Sequence, residues 1–168
     1  MNLREARFED EQFLWEAQYH AALLDSEDEP MMAIRSNPIL ARYVDGWGRA
    51  GDIGIIAEHE NNSIGAAWCR LFPEDSKGWG WIDEKTPEIS VAVLPKFRQK
   101  GIGTSMLTRL IEIACEENEM LSLAVRSTNP AVRLYQRLDF RVLPGRNFLN
   151  RTGILSYVMV RQCCGNHA

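Results

Sequence analysis

Apolar and polar residues recur with two different periods along the chain, and each change of period marks a new element. Residues 2–6 read as a short strand, and residues 10–24 carry apolar side chains at helical spacing, which predicts a helix. The acidic turn Asp25 to Pro30 ends this helix. A second helical stretch is predicted from Met31 through Pro38 to Val44.

Shorter apolar runs follow and predict strands. The runs at residues 53–57 and 64–68 flank the turn-forming residues Glu60 to Ser63, which is typical of a β-hairpin. After a loop rich in glycine, proline and tryptophan, residues 88–94 predict a strand with Ile89, Val91 and Val93 on one face.

The second half of the chain alternates helices with strands. Helical spacing predicts a helix from about Gly103 to Glu119, and a strand is predicted at residues 121–126. Asn129 and Pro130 then provide an N-cap and a first turn for another helix, before strands near residues 140–143 and 154–160. This order predicts one α+β domain, α/β-like in texture, over residues 1–168 with a mixed sheet.

Length, net charge and the lengths of the apolar runs disfavour several classes of function. The 168 residues suffice for one core, and a net charge of −4 with a pI near 5.4 argues against a nucleic-acid or membrane-surface partner. No apolar run is long enough to span a bilayer, and no signal peptide is evident, so a cytoplasmic location is expected.

The cysteine spacing indicates neither a disulfide framework nor a metal site. Cys69 and Cys115 lie in apolar runs and are expected to be reduced core residues rather than nucleophiles. Cys163 and Cys164 belong to a tail to which no function is assigned, and no metal is expected.

The most informative stretch runs from Val91 to Thr104, where a strand leads through a basic, glycine-bearing turn into a helix. Lys96, Arg98 and Lys100 add positive charge, and the free N–H groups at a helix start favour anions such as a pyrophosphate. A P-loop is excluded because no lysine follows Gly103, and a dinucleotide-binding turn is disfavoured because Met106 stands where a small residue is needed. A glycine-bearing turn with solvated cations remains an alternative.

Two motifs in order resemble the signatures of the GNAT acetyltransferase superfamily. Arg98-x-x-Gly101-x-Gly103 is similar to its coenzyme A pyrophosphate loop, and Asn129 to Phe140 is similar to its second signature, in which an Asn precedes a helix bearing Leu-Tyr. Asp139 stands where the family usually has glycine, and Asp tolerates the left-handed conformation that ends such a helix.

The resemblance implies the fold, the reaction and the site. It implies a mixed, mostly antiparallel central sheet flanked by helices on both faces, and direct transfer of an acetyl group from acetyl-CoA, as co-substrate, to an amine within a ternary complex. Glu88 would be the general base and Tyr135 the general acid. The residues that would bind the cofactor are Val91, Ala92, Val93, Arg98, Gln99, Lys100, Gly101, Ile102, Gly103, Thr104 and Asn129.

Each assigned role has a structural alternative. Glu88 could be a solvated carboxylate at a strand start, Tyr135 a core tyrosine, and Asn129 only a helix cap. The acceptor could be a small-molecule amine or an amino group of a protein or peptide, and a homodimer is possible by analogy with the family. A non-catalytic acyl-CoA sensor, or an acyltransferase with another acyl group or acceptor, are the competing functions.

Acceptor-binding residues are harder to assign. The acidic run Asp25 to Glu29 could attract a cationic amine or form a solvated loop. Trp47, Trp79 and Trp81 could line an acceptor pocket or pack beneath a loop.

Overall fold

The computed structural model of the chain describes residues 1–23 and 27–164 and divides into two compact units. A β-hairpin lies in the first of these units. The first unit comprises residues 1–70 and 90–113, and the second comprises residues 71–89 and 114–164. The hairpin joins β2 (Ile53–His59) to β3 (Asn62–Arg70). Its turn places Glu60 and Asn61 at φ of 50° and 62°, the left-handed conformation that a two-residue hairpin turn requires. The predicted hairpin is therefore confirmed.

The first unit extends the hairpin on either side. Strand β1 (Asn2–Glu5) pairs antiparallel with β2, and strand β4 (Glu88–Val93), of which residues 90–93 belong to this unit, neighbours β3. Two buried side chains of β3, Trp68 and Cys69, lie in the core of this unit. Cys69 is a free, buried cysteine, so the expected reduced core cysteine is confirmed at this position. Burial also raises the pKa of its thiol to about 12.

The helices of the first unit match the apolar periodicity with one exception. Helix α1 covers Glu11–Ala21, and α4 covers Ile102–Glu117, of which residues 102–113 belong to this unit. The single stretch predicted from Met31 to Val44 is instead two short helices, α2 (Ala33–Ser36) and α3 (Pro38–Ala41). Asn37 separates them because a residue before proline avoids the helical region, and its side chain caps α3 through the N–H groups of Ile39 and Leu40.

A buried ion pair between Arg70 and Asp52 stabilises the segment that follows α3. The buried Arg70 guanidinium binds both carboxylate oxygens of Asp52, at 3.0 and 2.7 Å, and also donates to the carbonyls of Arg42, Asp45 and Gly46. The carboxylate of Asp52 in turn accepts from backbone N–H groups of its own loop. Each buried charge is thus fully hydrogen-bonded, which is the condition under which burial is tolerated.

The second unit is built around β5 (Met120–Arg126). It pairs antiparallel with β8 (Leu155–Gln162). Strand β8 also pairs with β6 (Arg141–Val142) and β7 (Phe148–Leu149). Helix α5 of this unit covers Ala131–Arg137. The start of β4 pairs with β5 in parallel. The predicted mixed and mostly antiparallel sheet is confirmed. In the described ranges no helix has the length and apolar character needed to cross a membrane.

A disulfide between Cys115 and Cys163 corrects the expectation that Cys115 is a reduced core residue and that the spacing of the cysteines indicates no disulfide. The two Cα atoms are 5.2 Å apart although 48 positions separate them in sequence. They meet because β5 and β8 pair from Met120 to Gln162, and the N–H of Cys163 then donates to the carbonyl of Glu119. This pairing brings the last residues of β8 to the end of α4, a relation that local spacing does not reveal.

Candidate active site

The basic loop between β4 and α4 is held by its own strand. After a short 3₁₀ turn at residues 95–97, the Nε of Arg98 donates to the carbonyl of Val93 at 3.0 Å. The N–H of Ser105 makes a bond to the carbonyl of Gly101, which starts the helical ladder. The N–H groups just before Ser105 belong to the first helical turn, which lacks intrahelical acceptors and attracts anions.

Glycine stands at positions 101 and 103 of this loop for different physical reasons. Gly101 has φ of 77°, a conformation that side chains rarely adopt. Gly103 has no such constraint, and an added Cβ would make only an ordinary contact with Val93 at 3.8 Å. Neither the backbone nor the packing of the chain therefore demands glycine at 103, whereas a ligand lying close against the helix start would.

The Glu88 carboxylate lies at the opposite end of the same strand, β4, and is buried at 3% exposure. Its Oε1 accepts a hydrogen bond of 2.9 Å from the backbone N–H of Gly80. The alternative of a solvated carboxylate at a strand start is therefore wrong. A buried carboxylate held by a backbone donor is a constrained group, as a general base needs to be.

Close packing fixes the donor of this hydrogen bond. A Cβ on Gly80 would lie 2.7 Å from the carbonyl carbon of Leu123 and 2.9 Å from the nitrogen of Ala124. Only glycine lets the loop lie directly against β5 at this point. Its N–H is consequently aimed at Glu88 with little freedom.

Aromatic residues flank that contact. Trp79 is 37% exposed, and its ring stacks on Phe148 with centroids 5.0 Å apart and 7° between the planes. Trp81 is half-buried, donates from Nε1 to the carbonyl of Phe72, and lies under the ammonium of Lys77. Of the two, Trp79 is the one that presents a substantial ring surface beside Gly80.

Trp47 belongs to the core instead. It is buried, and its Nε1 donates to the carbonyl of Arg7 at 3.1 Å. The Arg70 guanidinium lies 5.7 Å from its ring centroid. Packing therefore accounts for this tryptophan. Of the acidic run Asp25 to Glu29, the first two residues lie outside the described ranges.

Tyr135 is buried on α5, where its ring makes an edge-to-face contact with Phe140 at 6.1 Å. Burial raises the pKa of its phenol to about 12. The phenol is consequently protonated throughout the neutral and mildly alkaline range. The residue both packs in the core and keeps a proton, so the two interpretations of Tyr135 are compatible.

Asn129 begins the segment that carries Tyr135. Its Oδ1 accepts from the N–H of Ala131 at 2.9 Å, but the N-cap position of α5 is held by Pro130, one residue later than predicted. The NH₂ of Asn129 is the end that can donate to a ligand. The helix ends through Asp139, at φ of 65°. The N–H of Phe140 bonds back to the carbonyl of Tyr135. Asp139 thus adopts the left-handed conformation expected at that position.

The sequence profile of the Acetyltransferase (GNAT) family matches residues 11–140. The chain belongs to the GNAT family. A curated relative is an N-alpha-acetyltransferase of Sulfolobus acidocaldarius, which is 30% identical over an alignment of 102 residues and covers 54% of this chain. The chain spans 57% of the length of that relative.

Two solved structures share the fold. The yncA protein of Salmonella typhimurium, solved with its cofactor acetyl-CoA, has a TM-score of 0.73 at 22% identity and covers 100% of this chain and 96% of its own. A ribosomal-protein-alanine N-acetyltransferase from Brucella melitensis has a TM-score of 0.67 at 20% identity, with 96% and 99% covered. At these identities the comparison shows the fold.

Three residues that lie beside Glu88 or Trp79 in this GNAT chain are absent from the predicted site: Gly80, Phe148 and Ser122, the register partner of Glu88 on β5. Gly80 stands between two tryptophans, a pattern that sequence alone shows. Its contact with Glu88, however, depends on a loop folding back over β5. No local pattern identifies Ser122 or Phe148.

Proposed function

We propose that the chain transfers the acetyl group of acetyl-CoA to an amino group. The observation that carries the proposal is strand β4, which begins at the buried carboxylate of Glu88 and ends at the basic, anion-attracting loop before α4. Membership of the GNAT family supports it. The acetyl-CoA in the yncA structure and the activity named for the Sulfolobus relative support it as well.

The loop suits the diphosphate of a CoA thioester. Three cations, Lys96, Arg98 and Lys100, are exposed on it, and Gly103 leaves the helix start accessible to a ligand. We assign the cofactor to this loop, to the backbone of Val91 to Val93 and to the NH₂ of Asn129. The residues of the loop assignment are Arg98, Gln99, Lys100, Gly101, Ile102, Gly103 and Thr104. When bound, acetyl-CoA supplies an acetyl group activated as a thioester.

Glu88 is proposed to remove the proton of the acceptor amine. An alkylamine has a pKa near 10 and an α-amino group a pKa near 8, so the acceptor is mostly protonated at neutral pH and cannot act as a nucleophile. The carboxylate accepts that proton directly or through water. The Gly80 N–H holds Oε1 in place while this occurs.

Tyr135 is proposed to stabilise the departing thiolate. Its phenol keeps its proton because burial raises its pKa to about 12, and a phenol O–H can donate a hydrogen bond to a developing negative charge. We further infer that residues 1–168 act as one domain, because the family profile covers residues of both compact units.

Gly103→Ala tests the cofactor assignment without disturbing the fold. The chain accommodates the new Cβ, and alanine favours a helix by up to about 1 kcal/mol over glycine, so stability is expected to stay equal or rise. Affinity for acetyl-CoA, measured by calorimetric titration, should nevertheless fall by about tenfold or more. Thr108→Ala is the matched control, since it also favours the helix but lies outside the loop. Unchanged affinity in Gly103→Ala would refute the assignment.

Glu88→Gln tests the base. The variant should lose most of its activity at neutral pH and regain part of it as pH rises, because free amine becomes more abundant. Glu112→Gln, which alters an exposed carboxylate of α4, should match the wild type at every pH. A Glu88→Gln profile parallel to that of the wild type would exclude Glu88 as the base.

A further inference from the structure

The hydroxyl of Ser122 is a buried polar group that the fold does not use. Ser122 is 0% exposed, and its Oγ has no hydrogen-bond partner among the residues that the structure describes. Its backbone is well placed, since the N–H donates to the carbonyl of Pro87 at 3.0 Å. The side chain therefore contributes nothing to the hydrogen bonding of the described fold.

Such a hydroxyl has an energetic cost. Native proteins pair nearly all their buried polar groups, with protein atoms or with ordered water, because an unpaired group loses its hydration without compensation. Alanine at the same place would fill nearly the same volume without that cost. A serine that weakens the fold at a buried position therefore points to a use outside folding.

Ser122 lies beside the carboxylate of Glu88. The two residues are register partners on the parallel strands β4 and β5, so their side chains project from the same face of the sheet about 5 Å apart at the backbone. Both are buried, and the backbone of Gly80, which donates to Glu88, packs against the next two residues of β5. The carboxylate and the hydroxyl thus belong to neighbouring, buried positions on one face of the sheet.

We propose that Ser122 is a positioning residue for the proton transfer to Glu88. The inference rests on the proposed function. The Ser122 hydroxyl holds, by a hydrogen bond, a water molecule that also contacts the Glu88 carboxylate. That water takes a proton from the substrate ammonium and passes one of its own protons to the carboxylate, which leaves a neutral amine, a water molecule and a protonated Glu88. Ser122 exchanges no net proton.

Ser122→Ala separates this role from a structural one. The expected result is a turnover number reduced by about tenfold, the effect of one lost hydrogen bond, with an unchanged KM for acetyl-CoA. The melting temperature should stay equal or rise. The deficit should shrink with increasing pH, because an amine that is already neutral needs no proton transfer. Ser122→Cys, whose thiol is of similar size and a weak hydrogen-bonding group, should show the same defect.

Ser156→Ala is the matched control, since Ser156 is a buried serine on the neighbouring strand β8. It should leave turnover and its pH dependence unchanged. Wild-type turnover in Ser122→Ala, or a deficit that is equal at every pH, would overturn the proposal for Ser122 alone. Absence of acetyl transfer by the wild type to any amine would refute the proposed function, and the role of Ser122 with it.

Discussion

Replacing Tyr135 by phenylalanine removes one oxygen atom from a buried ring. The edge-to-face contact with Phe140 is retained in the variant, because it involves the ring alone. The fold should therefore keep its stability, and any kinetic change can be assigned to the phenol. The size of that change follows from the phenol pKa.

The pKa of Tyr135, about 12, is some 3.5 units above that of a thiol near 8.5. Complete proton transfer to a thiolate would therefore be uphill by about 5 kcal/mol. The phenol is better suited to donating a hydrogen bond to the departing sulfur, an interaction with a charged group that contributes about 1.5–3 kcal/mol. The expected loss in turnover is thus about 10- to 150-fold, smaller than the largest effects of general acids.

Thiol release under saturating acetyl-CoA measures this loss, and calorimetric titration checks that acetyl-CoA binding is unchanged. Tyr157→Phe makes the same chemical change at a half-buried tyrosine of β8 and should retain full activity. Full activity in Tyr135→Phe would remove the phenol from the reaction. A wild-type alkaline limb with an apparent pKa near 10 that disappears in Tyr135→Phe would contradict the raised pKa.

Further predictions concern the loop, the core and the acceptor. Gly101→Ala should lower the free energy of unfolding in urea by about 1–2 kcal/mol, because φ of 77° costs alanine about that much. Arg70→Met should lower the free energy of unfolding in urea by about 3–5 kcal/mol, since it leaves the buried Asp52 carboxylate unpaired. Burial raises the Cys69 pKa from 9.0 to about 12, so the unfolded chain loses this proton at a lower pH than the folded chain does. The contribution of Cys69 to the free energy of unfolding should therefore be complete below pH 9 and fall by about 1.4 kcal/mol per pH unit between pH 9 and 12. This slope should be shallower in Cys69→Ala. Trp79→Ala should raise KM for the acceptor but not for acetyl-CoA, and equal effects on both would exclude Trp79 as an acceptor contact.

Local signals were sufficient for most of the elements. The turn at Glu60 and Asn61 and the helix end at Asp139 each depend on neighbours within a few positions, and the structure shows both as predicted. The break at Asn37 was missed because the apolar spacing continues across Pro38. Strand β7 was missed because two residues are too short for a period to be detected.

Long-range pairing accounts for what the sequence did not reveal. The Cys115–Cys163 disulfide follows from the register of β5 and β8, and the place of Ser122 follows from its pairing with Glu88. The burial of Glu88 likewise depends on Gly80, whose loop packs on β5. Strand registers of this kind are set by the whole core, and a single sequence carries no local record of them.

Acetyl-CoA-dependent thiol release with a panel of amines tests the central claim most directly. The panel should include alkylamines, polyamines, free amino acids and peptides with free N-termini, each assayed with wild type and Glu88→Gln. Acetyl transfer to at least one of these amines, confirmed by the mass of the acetylated product and lost in Glu88→Gln at neutral pH, is the predicted result. Purified protein that binds acetyl-CoA but releases no thiol with any amine would contradict the account.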